Sequence, residues 1–234
     1  MNLLSRVWRS SLGKKYLMAI SGLVLFLFLV GHMVGNLLLF LGREDINRYA
    51  EFLQTTKEVL WTVRVVLLAS VAIHVAAAVS LWLENKAARP VAYENLDPVA
   101  ASYASRTMLM SGLIVASFII YHLLHYTVKV PAVNLTGADF GTLQETLRDG
   151  SQRADVHAMM LKGFSNPVVA LFYVVGMGLL CLHLSHGASA MFQSLGARSD
   201  AYRAFFDKLA LAVAAIFFLG FSAVPLAVLL GLVK

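Results

Sequence analysis

The chain has 234 residues, of which 59% are hydrophobic and only 14% are charged. Soluble globular domains carry about 25% charged residues, and the mean hydropathy of +0.73 is too high for such a domain. Composition therefore excludes an ordinary soluble protein. The formal net charge of +6 is typical of basic residues that face lipid headgroups or a protein partner, and we expect no nucleic acid ligand.

The apolar residues fall in five blocks, and each block is long enough to cross about 30 Å of hydrocarbon. The five predicted spans are about 16–41, 59–83, 108–130, 168–191 and 209–233. We therefore predict an all-α integral membrane protein, with residues 1–234 forming one membrane domain of five transmembrane helices.

Basic residues are concentrated before the first span, where Arg6, Arg9, Lys14 and Lys15 occur. The positive-inside rule then places the N-terminus in the cytoplasm. Because the number of predicted spans is odd, the C-terminus is expected outside.

The segments between the spans contain three further signals. Residues 42–58 have the periodicity of an amphipathic helix, with Asp45 as its expected N-cap. The dipeptide Asp97-Pro98 predicts a helix start in the cytoplasm, before the third span. Pro167 is expected to open the fourth span after the long polar segment 131–167.

Histidines are the polar residues that recur within the spans. Six of the seven lie there: His32, His74, His122, His125, His183 and His186. An ionisable side chain inside a bilayer is costly. A single one is explained by a neutral imidazole bonded to a neighbouring helix, but a histidine in each of the first four spans favours a shared function.

The depth of four histidines separates them into two pairs. His32, His74, His122 and His183 each lie about two-thirds along their span. Consecutive spans run in opposite directions, so His32 and His122 are expected in the outer half, with His74 and His183 in the inner half. At a rise of about 1.5 Å per residue, the two levels differ by roughly 10 Å.

Two pairs of imidazoles at two levels fit two haems, each held from both faces by histidine. A zinc site requires its ligands within one small sphere, which two separated pairs do not supply. A proton relay would tolerate the spacing, but it usually includes Asp or Glu, and no acidic residue lies deep in a span. We therefore predict that four helices of the bundle bind two haem b groups.

Two weaker patterns accompany the histidines. Small residues near them, including Gly31, Gly35, Gly176 and Gly178, would admit a large planar group, although they are also common in ordinary helix packing. Haem propionates need donors near helix ends. The candidates are Ser21, Arg106 and Lys15, and contact with lipid headgroups explains each of them equally well.

The order and spacing of several motifs resemble the two-haem cytochrome b anchor of succinate dehydrogenase and fumarate reductase, the type with one five-helix chain. The resemblance covers nearly the whole chain. The motifs are Lys14-Lys15 to Leu23, His32 to Asn36, Ile46 to Leu53, Tyr103 to Arg106, Ser111-Gly112, Tyr121 to Thr127, Asn166 to Val175 and His183 to Gly196.

The resemblance implies a function and a set of site residues. His74 and His183 would bind one haem, and His32 and His122 the other. His125, His186 and Asn36 would be accessory cofactor contacts. The implied partners are a flavoprotein subunit and an iron–sulfur subunit on the cytoplasmic side of a bacterial inner membrane. The implied substrate is a quinone, with menaquinone expected, and Glu51 and Glu58 are its candidate contacts.

The chain departs from the family pattern at Cys181. Some members carry a glutamate there that is linked to transmembrane proton movement, so proton transfer is in doubt for this chain. We expect an electron-transfer subunit that is not itself catalytic. The alternatives are the anchor of a hydrogenase or formate dehydrogenase, an ascorbate-reducible cytochrome, a haem-free transporter with a histidine relay and a purely structural anchor.

Overall fold

The structure, a computed structural model, describes residues 2–88 and 106–234. The helix start predicted at Asp97-Pro98 lies outside the described residues. The chain divides into two compact units. Unit 1 comprises Met1–Phe28, Val65–Leu113 and Leu182–Ala214, and unit 2 comprises Leu29–Arg64, Ile114–Cys181 and Ala215–Lys234.

The described residues form eight α-helices and one two-stranded hairpin. The helices are α1 (Leu3–Arg9), α2 (Ser11–Leu37), α3 (Arg43–Thr55), α4 (Lys57–Ala87), α5 (Met108–His122), α6 (Val156–Ser165), α7 (Pro167–Ser194) and α8 (Arg203–Leu229). A π-helical segment, Leu123–Thr127, continues α5. The hairpin pairs β1 (Gln144–Thr146) with β2 (Gln152–Ala154), and Glu145 lies opposite Arg153.

The five predicted apolar helices are confirmed. Within the described residues, the helical stretches that are long and apolar enough to cross a membrane are Ser11–Phe40, Lys57–Ala87, Met108–Thr127, Pro167–Ser194 and Asp200–Leu229. Pro167 is the first residue of α7, as predicted. The Asn166 side chain accepts a hydrogen bond from the Val168 N–H, and proline is well suited to a first helical position because it needs no N–H partner there.

The helix predicted in residues 42–58 is present as α3, but its N-cap was predicted wrongly. Gly42 occupies the cap with a φ of 122°, so the helix begins at Arg43 and Asp45 lies in its first turn. Glycine reaches this conformation without the strain that a Cβ would cause. Asp45 instead stabilises the first turn, where a negative charge is favourable, and accepts a hydrogen bond from Arg48 at 3.2 Å.

The polar segment 131–167 is more ordered than its composition suggests. The hairpin and α6 pack against α3 within unit 2. Asn47 on α3 is fully buried, and its amide donates to Glu145 at 2.8 Å and to Asp155 at 3.0 Å. Its carbonyl accepts from the His157 N–H at 2.9 Å. Asp155 in turn caps α6 by accepting from the Ala158 N–H.

Arg153 on the hairpin links it to α3 through ion pairs. Its side chain is 5% exposed and lies 2.5 Å from Glu44, 2.8 Å from Glu145 and 3.4 Å from Glu51. A buried guanidinium is stable only when such carboxylates compensate for its lost hydration. The sequence gives no local pattern for the link to α3, because Glu44 and Glu51 are 109 and 102 residues from Arg153 along the chain.

We predict that Arg153→Ala weakens the packing of the hairpin and α6 on α3 by roughly 2 kcal/mol, because it removes the buried guanidinium that pairs with both Glu44 and Glu145 and leaves Arg43, at 3.4 Å, as the remaining cation beside Glu145. Hydrogen exchange of residues 144–165 in detergent measures this. The matched control is Arg48→Ala, since Arg48 is 68% exposed and, within the described part of the chain, its ion pair is with Asp45. Equal protection in both variants would contradict the role given to Arg153.

The same cluster predicts a loss of stability in acid. The hydrogen bond from Asn47 and the charges of Arg153 and Arg43 hold the pKa of Glu145 below its usual value. The stabilisation is therefore present above the usual pKa and is lost as the pH falls through the lower folded-state pKa. Protection of residues 144–165 should fall below about pH 4, and Glu145→Gln should reduce this pH dependence, leaving the part that comes from Asp155, whose pKa is also lowered.

Candidate functional site

Unit 1 brings together the predicted pair His74 and His183. His74 is on α4 and His183 on α7, and their ring centroids are 6.3 Å apart. Both side chains are half-buried. The two imidazoles therefore face each other from different helices.

The neighbouring helix fixes the orientation of His74. Its Nδ1 lies 3.1 Å from the Met18 carbonyl oxygen and 3.2 Å from Ser21 Oγ, both on α2. A carbonyl oxygen can only accept, so Nδ1 carries the ring proton and Nε2 keeps its lone pair. The contact of Ser21 is thus with the imidazole, and its predicted role at a haem propionate stays a prediction.

His183 is held in the same way by α5. Its Nδ1 lies 3.3 Å from Ser111 Oγ, and Ser111 donates its own hydroxyl proton to the Met108 carbonyl at 3.0 Å. The Ser111 oxygen is then an acceptor for the Nδ1–H of His183, which again leaves Nε2 with its lone pair. A hydrogen bond at Nδ1 is the usual support of a metal-binding histidine.

A glycine follows each of these serines and allows the imidazole to approach the helix. A Cβ at Gly22 would lie 3.3 Å from His74 Cε1, and one at Gly112 would lie 3.1 Å from His183 Cε1. The glycines named from sequence have other neighbours: Gly35 faces Tyr49, Gly176 faces Phe118, and Gly31 faces open space. The repeated Ser-Gly dipeptide was the signal for these supports, but sequence alone does not reveal which histidine each one contacts.

Unit 2 brings together the second predicted pair, His32 on α2 and His122 at the end of α5. Their ring centroids are 5.7 Å apart, and both side chains are half-buried. Phe221 on α8 packs against His32 at 5.9 Å. Asn36 donates to the His32 carbonyl at 2.7 Å, so it contacts the backbone of the helix that carries this histidine.

The hydrogen-bond partner of His122 is a phenol, whereas His74 and His183 in unit 1 have serine partners. Its Nδ1 lies 3.3 Å from the Tyr173 hydroxyl, which also lies 2.9 Å from His125 Nδ1. His125 is fully buried, and its Nε2 has no hydrogen-bond partner among the described residues. His122 and His125 are three residues apart on one helical face, which explains why both reach Tyr173.

Both pairs have the spacing that one iron ion would require. Two imidazole nitrogens each about 2 Å from a shared metal place the ring centroids about 6 Å apart. The separations of 6.3 Å and 5.7 Å lie on either side of this value. Among the described residues, no three His, Cys, Asp or Glu side chains are grouped for one metal ion. Each pair therefore offers two imidazoles to a metal, and its predicted role as the ligand set of a b-type haem stays a prediction.

The remaining predicted site residues lie outside these two pairs. His186 is half-buried one turn after His183, while Arg106, Lys15 and Glu58 are exposed. Glu51 belongs to the Arg153 cluster. Their assigned roles stay predictions.

One buried charge was not selected from sequence. Lys14, rather than Lys15, is buried at 2% exposure and forms an ion pair with Glu84, assisted by Ser80 Oγ at 3.0 Å. This contact ties the start of α2 to the end of α4 within unit 1. The i, i+4 spacing of Ser80 and Glu84 was the available signal, but the adjacent lysines are indistinguishable without the structure.

We predict opposite effects for two glycine-to-alanine substitutions. Alanine within a helix usually gains about 1 kcal/mol over glycine, and Gly31→Ala should show such a gain because its Cβ meets no atom within 4 Å. Gly112→Ala should not show this gain in stability, because the added Cβ would lie 3.1 Å from His183 Cε1. Thermal unfolding in one detergent compares the two. A gain at Gly112 equal to that at Gly31 would show that His183 is not packed against α5.

Neither family models, nor curated proteins, nor solved structures match this chain. The family resemblance therefore depends on the motifs of the sequence alone.

Proposed function

We propose that this chain is the two-haem cytochrome b anchor of a succinate:quinone oxidoreductase, of the succinate dehydrogenase and fumarate reductase class. One observation carries the proposal. Each unit contains two histidines from different helices at the separation that two axial ligands of one iron need, 6.3 Å for His74 and His183 and 5.7 Å for His32 and His122.

The chain would act by holding three of these four imidazoles, those of His74, His122 and His183, in one tautomer and in fixed orientations. A haem with two histidine ligands transfers single electrons and has no open position for oxygen. Ser21, Ser111 and Tyr173 provide the Nδ1 contacts that orient the rings. In a membrane, the apolar helices around them would exclude water, which would strengthen these hydrogen bonds.

The proposed setting is a bacterial cytoplasmic membrane crossed five times, with the N-terminus inside and the C-terminus outside. The five apolar helices support insertion, and the basic residues before α2 support the orientation. The proposed partners are a flavoprotein subunit and an iron–sulfur subunit on the cytoplasmic side. The proposed electron acceptor or donor is a quinone, expected to be menaquinone, with Glu51 and Glu58 as candidate contacts.

The test is a haem count on the complex purified from membranes through this chain. We expect a Soret band, two haem b groups per chain, and a co-purifying flavoprotein that reduces them with succinate. His74→Ala and His183→Ala should each lower the count from two to one. The matched control is His157→Ala, because His157 is buried on α6 and belongs to neither pair.

Two results would contradict the proposal. A purified complex without a Soret band would favour a haem-free histidine relay. Haem that a co-purifying hydrogenase or formate dehydrogenase reduces, and that succinate does not, would move the chain to another respiratory enzyme.

A further inference from the structure

The Tyr173 hydroxyl is the shared contact of two histidines in unit 2. It lies 3.3 Å from His122 Nδ1 and 2.9 Å from His125 Nδ1. Tyr173 is 6% exposed and His125 is 0% exposed. Bulk water therefore does not replace either contact.

The directions of these two hydrogen bonds follow from the number of protons that His122, Tyr173 and His125 carry. The assignment rests on the proposed function, in which His122 binds iron. If His122 binds iron through Nε2, its Nδ1 carries the ring proton and donates to the Tyr173 oxygen. The phenol has one proton of its own, which it then donates to His125 Nδ1. His125 consequently keeps its proton on Nε2, the atom that has no partner among the described residues.

Aromatic side chains hold the members of this chain in place. Phe118 and Phe164 meet the Tyr173 ring edge-on, at 5.1 Å and 5.0 Å. Tyr126 and Phe140 enclose the His125 ring, at 4.0 Å and 5.5 Å. Gly176 admits Phe118, since a Cβ there would lie 2.6 Å from the Phe118 ring. The hydroxyl therefore has little freedom to turn to another partner.

We infer that Tyr173 and His125 are positioning residues that fix the tautomer and raise the basicity of His122. A hydrogen bond from Nδ1 gives the imidazole more anionic character, which stabilises ferric iron and lowers the haem midpoint potential. The phenol continues the bond to His125 and so is polarised by it. The serines that contact His74 and His183 donate their hydroxyl hydrogen bonds to backbone carbonyls instead of to a second histidine. The contact between Tyr173 and His125 would therefore affect only the haem that His122 holds.

The test is a potentiometric titration of both haems in the intact complex, comparing two tyrosine variants. Tyr173→Phe should keep two haems per chain and shift one midpoint potential to a more positive value, while the other is unchanged. The matched control is Tyr121→Phe, because its hydroxyl donates to the Val133 carbonyl at 3.1 Å rather than to a histidine. Unshifted potentials in Tyr173→Phe, or equal shifts in both variants, would overturn the inference.

Two His125 variants test the same contact without altering Tyr173. His125→Asn retains an acceptor oxygen near the position of Nδ1 and should keep the wild-type potential. His125→Leu removes the acceptor and should shift the same haem as Tyr173→Phe, in the same direction and by less. Identical potentials in these two variants would overturn the inference, as would loss of a haem in both, since His125 would then be a ligand itself.

The outcomes separate this inference from the proposed function. A wild-type complex without haem contradicts both. A wild-type complex with two haems whose potentials ignore Tyr173 and His125 contradicts the inference alone.

Discussion

An imidazole in an apolar helix has two nitrogens, and the arrangement of this chain depends on satisfying one of them from a neighbouring helix. For His74, His122 and His183 that nitrogen is Nδ1, and the partner is a serine, a carbonyl or a phenol on another helix. The ring is thereby held in one orientation, and it faces a second histidine at 5.7 Å or 6.3 Å. A metal-binding histidine needs this arrangement, in which one nitrogen donates a hydrogen bond and the other keeps its lone pair for the metal.

The two units meet this constraint with different chemistry. Unit 1 uses the Ser-Gly dipeptides at Ser21 and Ser111, in which the serine bonds Nδ1 and the glycine lets the ring lie close to the helix. Unit 2 uses Tyr173, a larger residue that reaches His122 and His125 together. Two haems in one chain would consequently differ in the basicity of their ligands, which is one of the few means a protein has of setting their potentials.

The sequence alone could predict the parts of the fold that depend on composition. Five apolar stretches follow from hydropathy, and the pairing of His32 with His122 and of His74 with His183 follows from depth along antiparallel helices. The N-cap of α3 was predicted at Asp45 because its side chain suits a cap, whereas Gly42 takes that place through its backbone conformation. A backbone angle of this kind leaves only a weak trace in a single sequence.

The supports of the histidines could not be predicted, for a different reason. Ser21 and Lys15 were selected for their position near helix ends, but the contacts of Ser21 and the burial of Lys14 are set by the rotation of each helix about its axis. Hydropathy does not define that rotation where all sides of a helix are apolar. The cluster around Arg153 was missed because its partners on α3, Glu44 and Glu51, are 109 and 102 residues away along the chain.

Electron paramagnetic resonance of the oxidised wild-type complex tests the central claim most directly, since it reports the axial ligands of each iron. We predict two low-spin ferric haem signals per chain with the signature of two imidazole ligands. A high-spin signal from a haem with one open position, or the lack of any haem signal, would contradict the assignment of His32, His74, His122 and His183 as paired ligands.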